Sequence, residues 1–287
     1  MTTIAGYYRK CVTALSAILR SEGEGAAAAS IIFEDAAGMS RTYIFANGDR
    51  ELGEYAQGKI DRAIAKVEAG EPVQYAVGKA QFMGNNYEVS PAVLIPRPET
   101  AGLVDRITDA FGSRRDLRVL DIGTGSGCIA ISLARALPFA QVTGVDISDD
   151  ALAIARRNAA ALKANVDFEK LDILSARPPE SARYDIIVSN PPYICRSEES
   201  EMEDRVLLHE PSQALFVPDN DPLLFYRAIA VYARKALSPG GGLFFEINSR
   251  FPSEMKALLE SEGFADIDIA RDYLGNFRYA IATQPLP

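Results

Sequence analysis

The segment Arg118-Val119-Leu120-Asp121-Ile122-Gly123-Thr124-Gly125-Ser126-Gly127 constrains this chain more than any other. A short apolar strand runs into a glycine-rich turn, and an apolar helix over about 126–137 follows. The same alternation continues. Before this strand a helix is predicted over about 100–112. After it come a strand at 141–145, a helix at 148–163, and short strands at 166–171 and 184–189. A long loop then leads to a helix at 222–237, a strand at 243–247, a helix at 252–262 and strands near 265–270 and 277–283. Repeated strand–helix alternation implies a mainly parallel sheet covered on both faces. Ligands of such sheets bind beyond the carboxyl ends of the strands.

Residues 1–79 read differently. Ile4, Tyr8, Cys11, Val12, Leu15, Ile18 and Leu19 recur at helical spacing. An Ala-rich stretch at 25–37 stops at Gly38. Asn47-Gly48-Asp49 offers a break with a good cap, and a second stripe (Leu52, Tyr55, Ile60, Ile64, Val67) ends at Gly70. A small helical domain over 1–79 is expected, with a role in substrate recognition. Gln81-Phe82-Met83, a turn at Gly84-Asn85-Asn86 and Tyr87-Glu88-Val89 predict a β-hairpin. Pro91, Pro96 and Pro98 stiffen the next stretch, so 80–98 is read as a connector and 99–287 as the main domain.

Composition narrows the function. The chain has 287 residues and a formal net charge of −9. That disfavours a stable nucleic-acid partner, which a basic surface would grip through phosphates. Its three cysteines, Cys11, Cys128 and Cys195, lie far apart, so no disulfide framework or thiolate metal site is expected. Free thiols fit a reducing cytoplasm. No stretch approaches a membrane span or the apolar core of a signal peptide. The single histidine, His209, has no partners for a triad or a metal cluster, and no metal is expected.

Four motifs carry chemistry. Gly123, Thr124, Gly125, Ser126 and Gly127 let the backbone approach a ligand and open onto a helix N-terminus. A dinucleotide fingerprint starting at Gly123 needs Gly or Ala where Cys128 stands. Asp121 suits a cationic amino group and would repel a pyrophosphate. Asp146, ending the next strand, can hold two ribose hydroxyls; its plainer reading is a helix cap, a role open to Ser148 instead. Asp172 and Ile173 fall where the third strand ends. There a carboxylate can accept from an adenine amino group and an apolar side chain can pack on its ring. Asn190-Pro191-Pro192-Tyr193 follows the apolar strand Ile186-Ile187-Val188. Two prolines stiffen the loop, asparagine and carbonyls supply acceptors, and tyrosine offers a flat face. That set suits a planar amide or aromatic –NH2 group aimed at a methyl donor.

At this point the sequence resembles the HemK/PrmC family of protein-glutamine N5-methyltransferases over almost its whole length. Gly70-Glu71-Pro72-Val73-Gln74-Tyr75 and Leu94-Ile95-Pro96-Arg97-Pro98-Glu99-Thr100 match the family's connector. Residues 121–127, Asp146 and residues 190–193 match its catalytic domain in order and spacing. Glu210-Pro211, Ala214-Leu215, Phe225-Tyr226-Arg227, Asp272, Gly275 and Arg278 match later landmarks. The resemblance implies a seven-stranded Rossmann-like class I methyltransferase domain behind a helical domain and hairpin connector. It implies S-adenosylmethionine as cofactor, yielding S-adenosylhomocysteine. The substrate implied is the Gly-Gly-Gln glutamine of class I peptide chain release factors. Residues 123–127 would line the methionine and ribose side, Asp146 the ribose and Ile173 the adenine; Asn190, Pro191, Pro192 and Tyr193 would bind the glutamine, and Asn190 would also contact the cofactor. Where the family commonly has Glu, Gly-Gly and Gly, this chain has Ala101, Phe216-Val217-Pro218 and Asn248. A monomer is expected.

Rival readings remain. An adenine-N6 nucleic-acid methyltransferase shares the Asn-Pro-Pro-Tyr loop, but the charge and the connector oppose it. A non-catalytic cofactor sensor has no need of that loop. Glu198, Glu199, Glu201, Glu203 and Asp204 form either a solvated acidic loop or a guide for a basic partner.

Overall fold

A computed structural model describes residues 2–286. The chain divides into two compact units. One takes in the residues up to Ala80 with Val89–Pro91 and Glu203–His209; the other takes in Gln81–Glu88, Ala92–Met202 and the residues from Glu210 on.

The first unit contains α1 (Ile4–Leu19), α2 (Glu22–Ile31, running on through a wider π turn at Ile32–Ala36), α3 (Arg41–Asn47), α4 (Glu54–Glu68) and α5 (Val73–Val77). Thr3, Ser21 and Ser40 start α1, α2 and α3 by accepting from the backbone N–H three residues on. The stripe predicted for α1 is buried at Ile4, Cys11, Leu15 and Leu19, with Tyr7 in place of Tyr8. Tyr8 lies one position round the helix and hydrogen-bonds Ser30 Oγ at 2.8 Å. The break at residues 47–49 ends α3, but Gly53, not Asp49, stands at the start of α4. The short helices α3 and α5 bury one side chain each, Ile44 and Tyr75. They are too short to show a helical period.

The hairpin pairs β1 (Lys79–Phe82) with β2 (Asn85–Glu88). Its turn is Met83-Gly84 rather than residues 84–86. Both are left-handed, at φ 46° and 72°. Two-residue turns of that kind match the twist of the flanking strands, and Asn85 Nδ2 donates to Met83 O at 2.9 Å. Phe82 and Tyr87 are buried in one apolar cluster with α6 (Pro98–Phe111).

After α6 come β3 (Arg118–Ile122), α7 (Cys128–Ala136), β4 (Gln141–Asp146), α8 (Asp149–Leu162), β5 (Val166–Lys170) and β6 (Tyr184–Ser189). The stretch read as a long loop holds β7 (Ile194–Cys195), a 3-10 turn (Arg196–Glu201), α9 (Asp204–His209), α10 (Ser212–Leu215) and β8 (Phe216–Val217). Then follow α11 (Leu224–Ala236), β9 (Leu237–Glu246), α12 (Pro252–Ser261), β10 (Ala265–Arg271) and β11 (Phe277–Thr283). The seven-stranded sheet has the order β10-β11-β9-β6-β3-β4-β5. From β9 to β5 neighbours run parallel; β11 is antiparallel to both β9 and β10.

Both faces of the sheet are buried, as predicted. In register, Leu120, Ile187 and Leu243 lie together on the face covered by α11 and α12. Val119, Ile186, Val188 and Phe244 lie on the other, with α6 and α7. Alternate residues thus serve opposite cores, the two-residue period of a strand. Phe216-Val217, where the resemblance leads to an expectation of glycines, is a strand-forming pair that aligns with Ile194-Cys195.

Candidate active site

The chain leaves β3 towards β4 on one side of the sheet and later returns to β6 on the other, so the carboxyl ends of these strands form a topological switch point. A cavity of about 250 Å³ opens there, within the second unit. Of the predicted residues, Gly123, Thr124, Gly125, Ser126, Asp146, Asp172, Ile173, Asn190, Pro191 and Pro192 line it. Asp121, Gly127 and Tyr193 do not. A larger depression of about 430 Å³ in the first unit contains none of the motifs.

The glycine-rich turn is shaped by left-handed backbone. Gly123 and Gly125 have φ of 73° and 54°, and a Cβ on Gly123 would meet nothing within 4 Å. The backbone there is open to the cavity. Gly127 (φ 81°) has another reason to be glycine: its Cβ would stand 3.0 Å from Ile131 and 3.2 Å from Ala155. It seats α7 against α8 and leaves the cavity wall to its neighbours.

Asp121 is completely buried. Its Oδ2 accepts from Thr124 Oγ1 at 2.7 Å and from the Ala130 N–H at 3.1 Å, while Oδ1 has no protein partner. Burial pushes its pKa up to about 7, against the lowering effect of those two hydrogen bonds. In this structure Asp121 stands behind the loop and holds its shape. Asp146 spans the loop and the next helix: Oδ2 accepts from Gly125 N at 2.9 Å and Oδ1 from Ser148 N at 3.0 Å. Ser148 itself caps α8 through Ala151 N, which leaves the Asp146 carboxylate at the cavity. Asp172 accepts from Leu174 N and Ser175 Oγ, both at 3.0 Å, in a local turn. Ile173 and Ile147 add apolar wall.

Residues 190–193 leave β6 after Ser189, which is fully buried and donates to Ile122 O at 2.7 Å. Asn190 lines the cavity and its Nδ2 donates to Thr100 Oγ1 at 3.4 Å. Tyr193, predicted to offer its ring as a stacking face, turns instead into the apolar cluster beneath α11. Its hydroxyl donates to Glu246 Oε1 at 3.1 Å, and burial carries its pKa far above the ordinary phenol value.

Four further residues brace the site; Glu210 and Asn248 are marked in the sequence only by the family resemblance, and Asn158 and Glu246 have no role assigned from the sequence. Glu246, at the end of β9, is almost wholly buried and accepts from Thr100 Oγ1 at 2.7 Å. Asn158 donates to Glu88 O and Ser126 O at 3.0 and 2.9 Å and accepts from Glu88 N at 2.6 Å, tying hairpin to loop. Glu210 accepts from Arg97 and from the Ile95 N–H. Asn248, a departure from the related family, donates to Tyr193 O and to Glu198 Oε2, both at 2.9 Å. Glu198 also accepts from Cys195 N and pairs with Arg250. It is therefore part of this brace rather than a solvated acid.

S-adenosylmethionine fits these residues. An open glycine turn that lets a ligand approach the backbone closely suits its amino-acid end, a carboxylate between two backbone donors suits ribose, and Ile147 and Ile173 suit adenine. Sheet order, reversed β11 and this cavity together define a class I S-adenosylmethionine-dependent methyltransferase. A methyltransferase from Pyrococcus furiosus shares the fold, with a TM-score of 0.53 at 18% identity over 77% of this chain and 98% of that one. Family models match as the methyltransferase small domain over residues 100–216 and the PrmC N-terminal domain over residues 11–78. Release factor glutamine methyltransferase of Bacteroides thetaiotaomicron is 47% identical over 250 residues, 87% of this chain and 89% of that protein. Its namesake from Flavobacterium psychrophilum is 40% identical over 278 residues, 96% and 97% of the two chains. The chain belongs to the release factor glutamine methyltransferase family.

Proposed function

We propose that this enzyme methylates the side-chain nitrogen (N5) of the glutamine in the Gly-Gly-Gln loop of class I peptide chain release factors. The observation that carries this reading is the place of Asn190. It stands on the cavity wall at the end of β6, beside the glycine turn and Asp146. Asn190 and the carbonyl of Pro191 accept the two hydrogens of a primary amide, and Pro192 stiffens the loop that holds them. The cofactor, when bound, supplies a methyl group on a sulfonium. Residues 123–126 and Asp146 hold it on the glycine-turn side, with Asp172 and Ile173 at the adenine.

An amide nitrogen is a poor nucleophile, because its lone pair is delocalised into the carbonyl. The residues of the site therefore act by orientation and by hydrogen bonds that favour charge developing on nitrogen. Positioning of this kind lowers barriers by on the order of 7–11 kcal/mol. Tyr193 supports the loop through Glu246.

Residues 1–79 serve recognition of the release factor, residues 80–98 connect and residues 99–287 catalyse. The enzyme acts as a monomer in the cytoplasm, without a stable nucleic-acid partner. The net charge of −9 supports the last point. Among the described residues no helix is long and apolar enough to cross a membrane.

The test is transfer of labelled methyl from S-adenosylmethionine to purified release factor, with Gly-Gly-Gln intact or changed to Gly-Gly-Glu. Label on the intact factor alone is expected. Label on nucleic acid and on neither factor would overturn the reading in favour of base methylation. Asn190→Ala should lose most of the rate and keep cofactor affinity; a variant near wild-type rate removes Asn190 from its role.

A further inference from the structure

Asn190 has a side chain with two chemically opposite ends, and only one of them suits an incoming –NH2 group. What holds that end in place is a chain of three groups. Thr100 lies in the first turn of α6, is 2% exposed and lines the cavity. Its hydroxyl is 2.7 Å from Glu246 Oε2 and 3.4 Å from Asn190 Nδ2. Glu246 is 1% exposed, and its other oxygen accepts from Tyr193.

Donor and acceptor counting fixes the direction of this chain. Glu246 accepts at both of its oxygens, from Thr100 at one and from Tyr193 at the other. The Thr100 hydroxyl has one hydrogen, and gives it to Glu246. It then faces Asn190 with lone pairs only, so the –NH2 end of the Asn190 amide must turn towards Thr100. The carbonyl end, Oδ1, points the opposite way.

The geometry points to Thr100 and Glu246 as positioning residues that lock the Asn190 amide with its oxygen presented to substrate, and so select an amide over a carboxylate. This rests on the reading of glutamine as the methyl acceptor. Were the Asn190 amide free to turn over, half of its orientations would offer a donor to the substrate. That face would bind the acceptor-only side chain of glutamate and repel the –NH2 of glutamine. A buried polar pair left mismatched is among the strongest means of discrimination between isosteric ligands. Thr100 and Glu246 need touch neither the substrate amide nor the methyl group. They act through Asn190.

The experiment compares Thr100→Val, which keeps the side-chain volume but removes the hydroxyl, with Thr100→Ser, which keeps the hydroxyl. Thr100→Ala is a second hydroxyl-free variant should Thr100→Val fail to fold. Three quantities are measured in each: cofactor Kd, kcat on Gly-Gly-Gln release factor, and inhibition by the Gly-Gly-Glu factor. Cofactor Kd should stay within about threefold throughout. Thr100→Val should lose at least tenfold in kcat and be inhibited more tightly by the Gly-Gly-Glu factor than wild type is. Thr100→Ser should remain within threefold of wild type in both. A hydroxyl-free variant with wild-type kcat, an unchanged inhibition ratio, or a Thr100→Ser variant as impaired as Thr100→Val overturns the proposal. A wild-type enzyme that labels no release factor overturns the function itself and is seen before any variant is made.

Discussion

Asp121→Asn isolates the linkage between one buried carboxyl and the stability of the methyltransferase unit. In the folded chain, burial raises the Asp121 pKa from 3.8 to about 7. The unfolded chain releases this proton near pH 4, whereas the folded chain keeps it to about pH 7. The folded state therefore binds more protons in between, and the group's contribution to stability falls as pH rises. It is intact below about pH 4 and fully lost above about pH 7. At roughly 1.4 kcal/mol per pH unit, the whole effect is about 4 kcal/mol. About 3 kcal/mol of it falls between pH 5 and pH 8.5. The asparagine of the variant carries no titrating group. Its carbonyl can accept from Thr124 and Ala130, and its –NH2 takes the place of the oxygen that has no protein partner. An unmet buried donor costs about 1–3 kcal/mol, but that cost is independent of pH. It cancels when the wild-type-minus-variant difference at pH 5 is compared with that at pH 8.5. Groups common to both proteins cancel too. The assay is urea unfolding followed by circular dichroism, since the chain has no tryptophan. The variant should gain about 3 kcal/mol on wild type across this range, in the transition of the methyltransferase unit. Differences that stay constant within about 0.5 kcal/mol would refute the assignment of a raised, buried carboxyl.

Three further outcomes rest on single contacts. Asn158→Leu strips partners from Glu88 N, Glu88 O and Ser126 O; it should cost about 3 kcal/mol in thermal or urea unfolding and weaken cofactor binding by calorimetry. Gly144→Ala would place a Cβ 2.8 Å from both the Phe168 ring and Thr124 Oγ1; it should destabilise by about 1–3 kcal/mol and raise the cofactor Kd through Thr124. Glu210→Ala removes the acceptor for Ile95 N and Arg97; a loss of about 1–3 kcal/mol is expected, with a higher KM because Arg97 lines the cavity.

What could be read in the sequence, and what could not, divides by range. The parallel core was legible because Val119-Leu120 and Ile186-Ile187-Val188 are buried on both faces, so each strand is a short apolar run between turn signals. The hairpin was legible as a pair but not in register, because Asn85 suits a turn by itself and only Met83's left-handed backbone shows where the chain reverses. The cavity wall was mostly legible for the same local reason: Gly123, Asp146, Ile173 and Asn190 each lie at or just beyond the end of a strand. Asp121 and Tyr193 share those motifs yet face away from the cavity, and composition does not encode facing. Thr100 and Glu246 stand 146 positions apart, and Asn158 is 70 positions from Glu88. No local pattern marks such pairs, since each is an ordinary polar residue in its own element. Ligand contacts sit in loops whose backbone conformation demands particular residues. The groups that orient them sit in helices and strands, where any hydroxyl or carboxylate reads as surface until the fold buries it. A chain can therefore announce its chemistry in four short motifs while leaving silent the hydrogen bonds that decide whether Asn190 offers an oxygen or an –NH2.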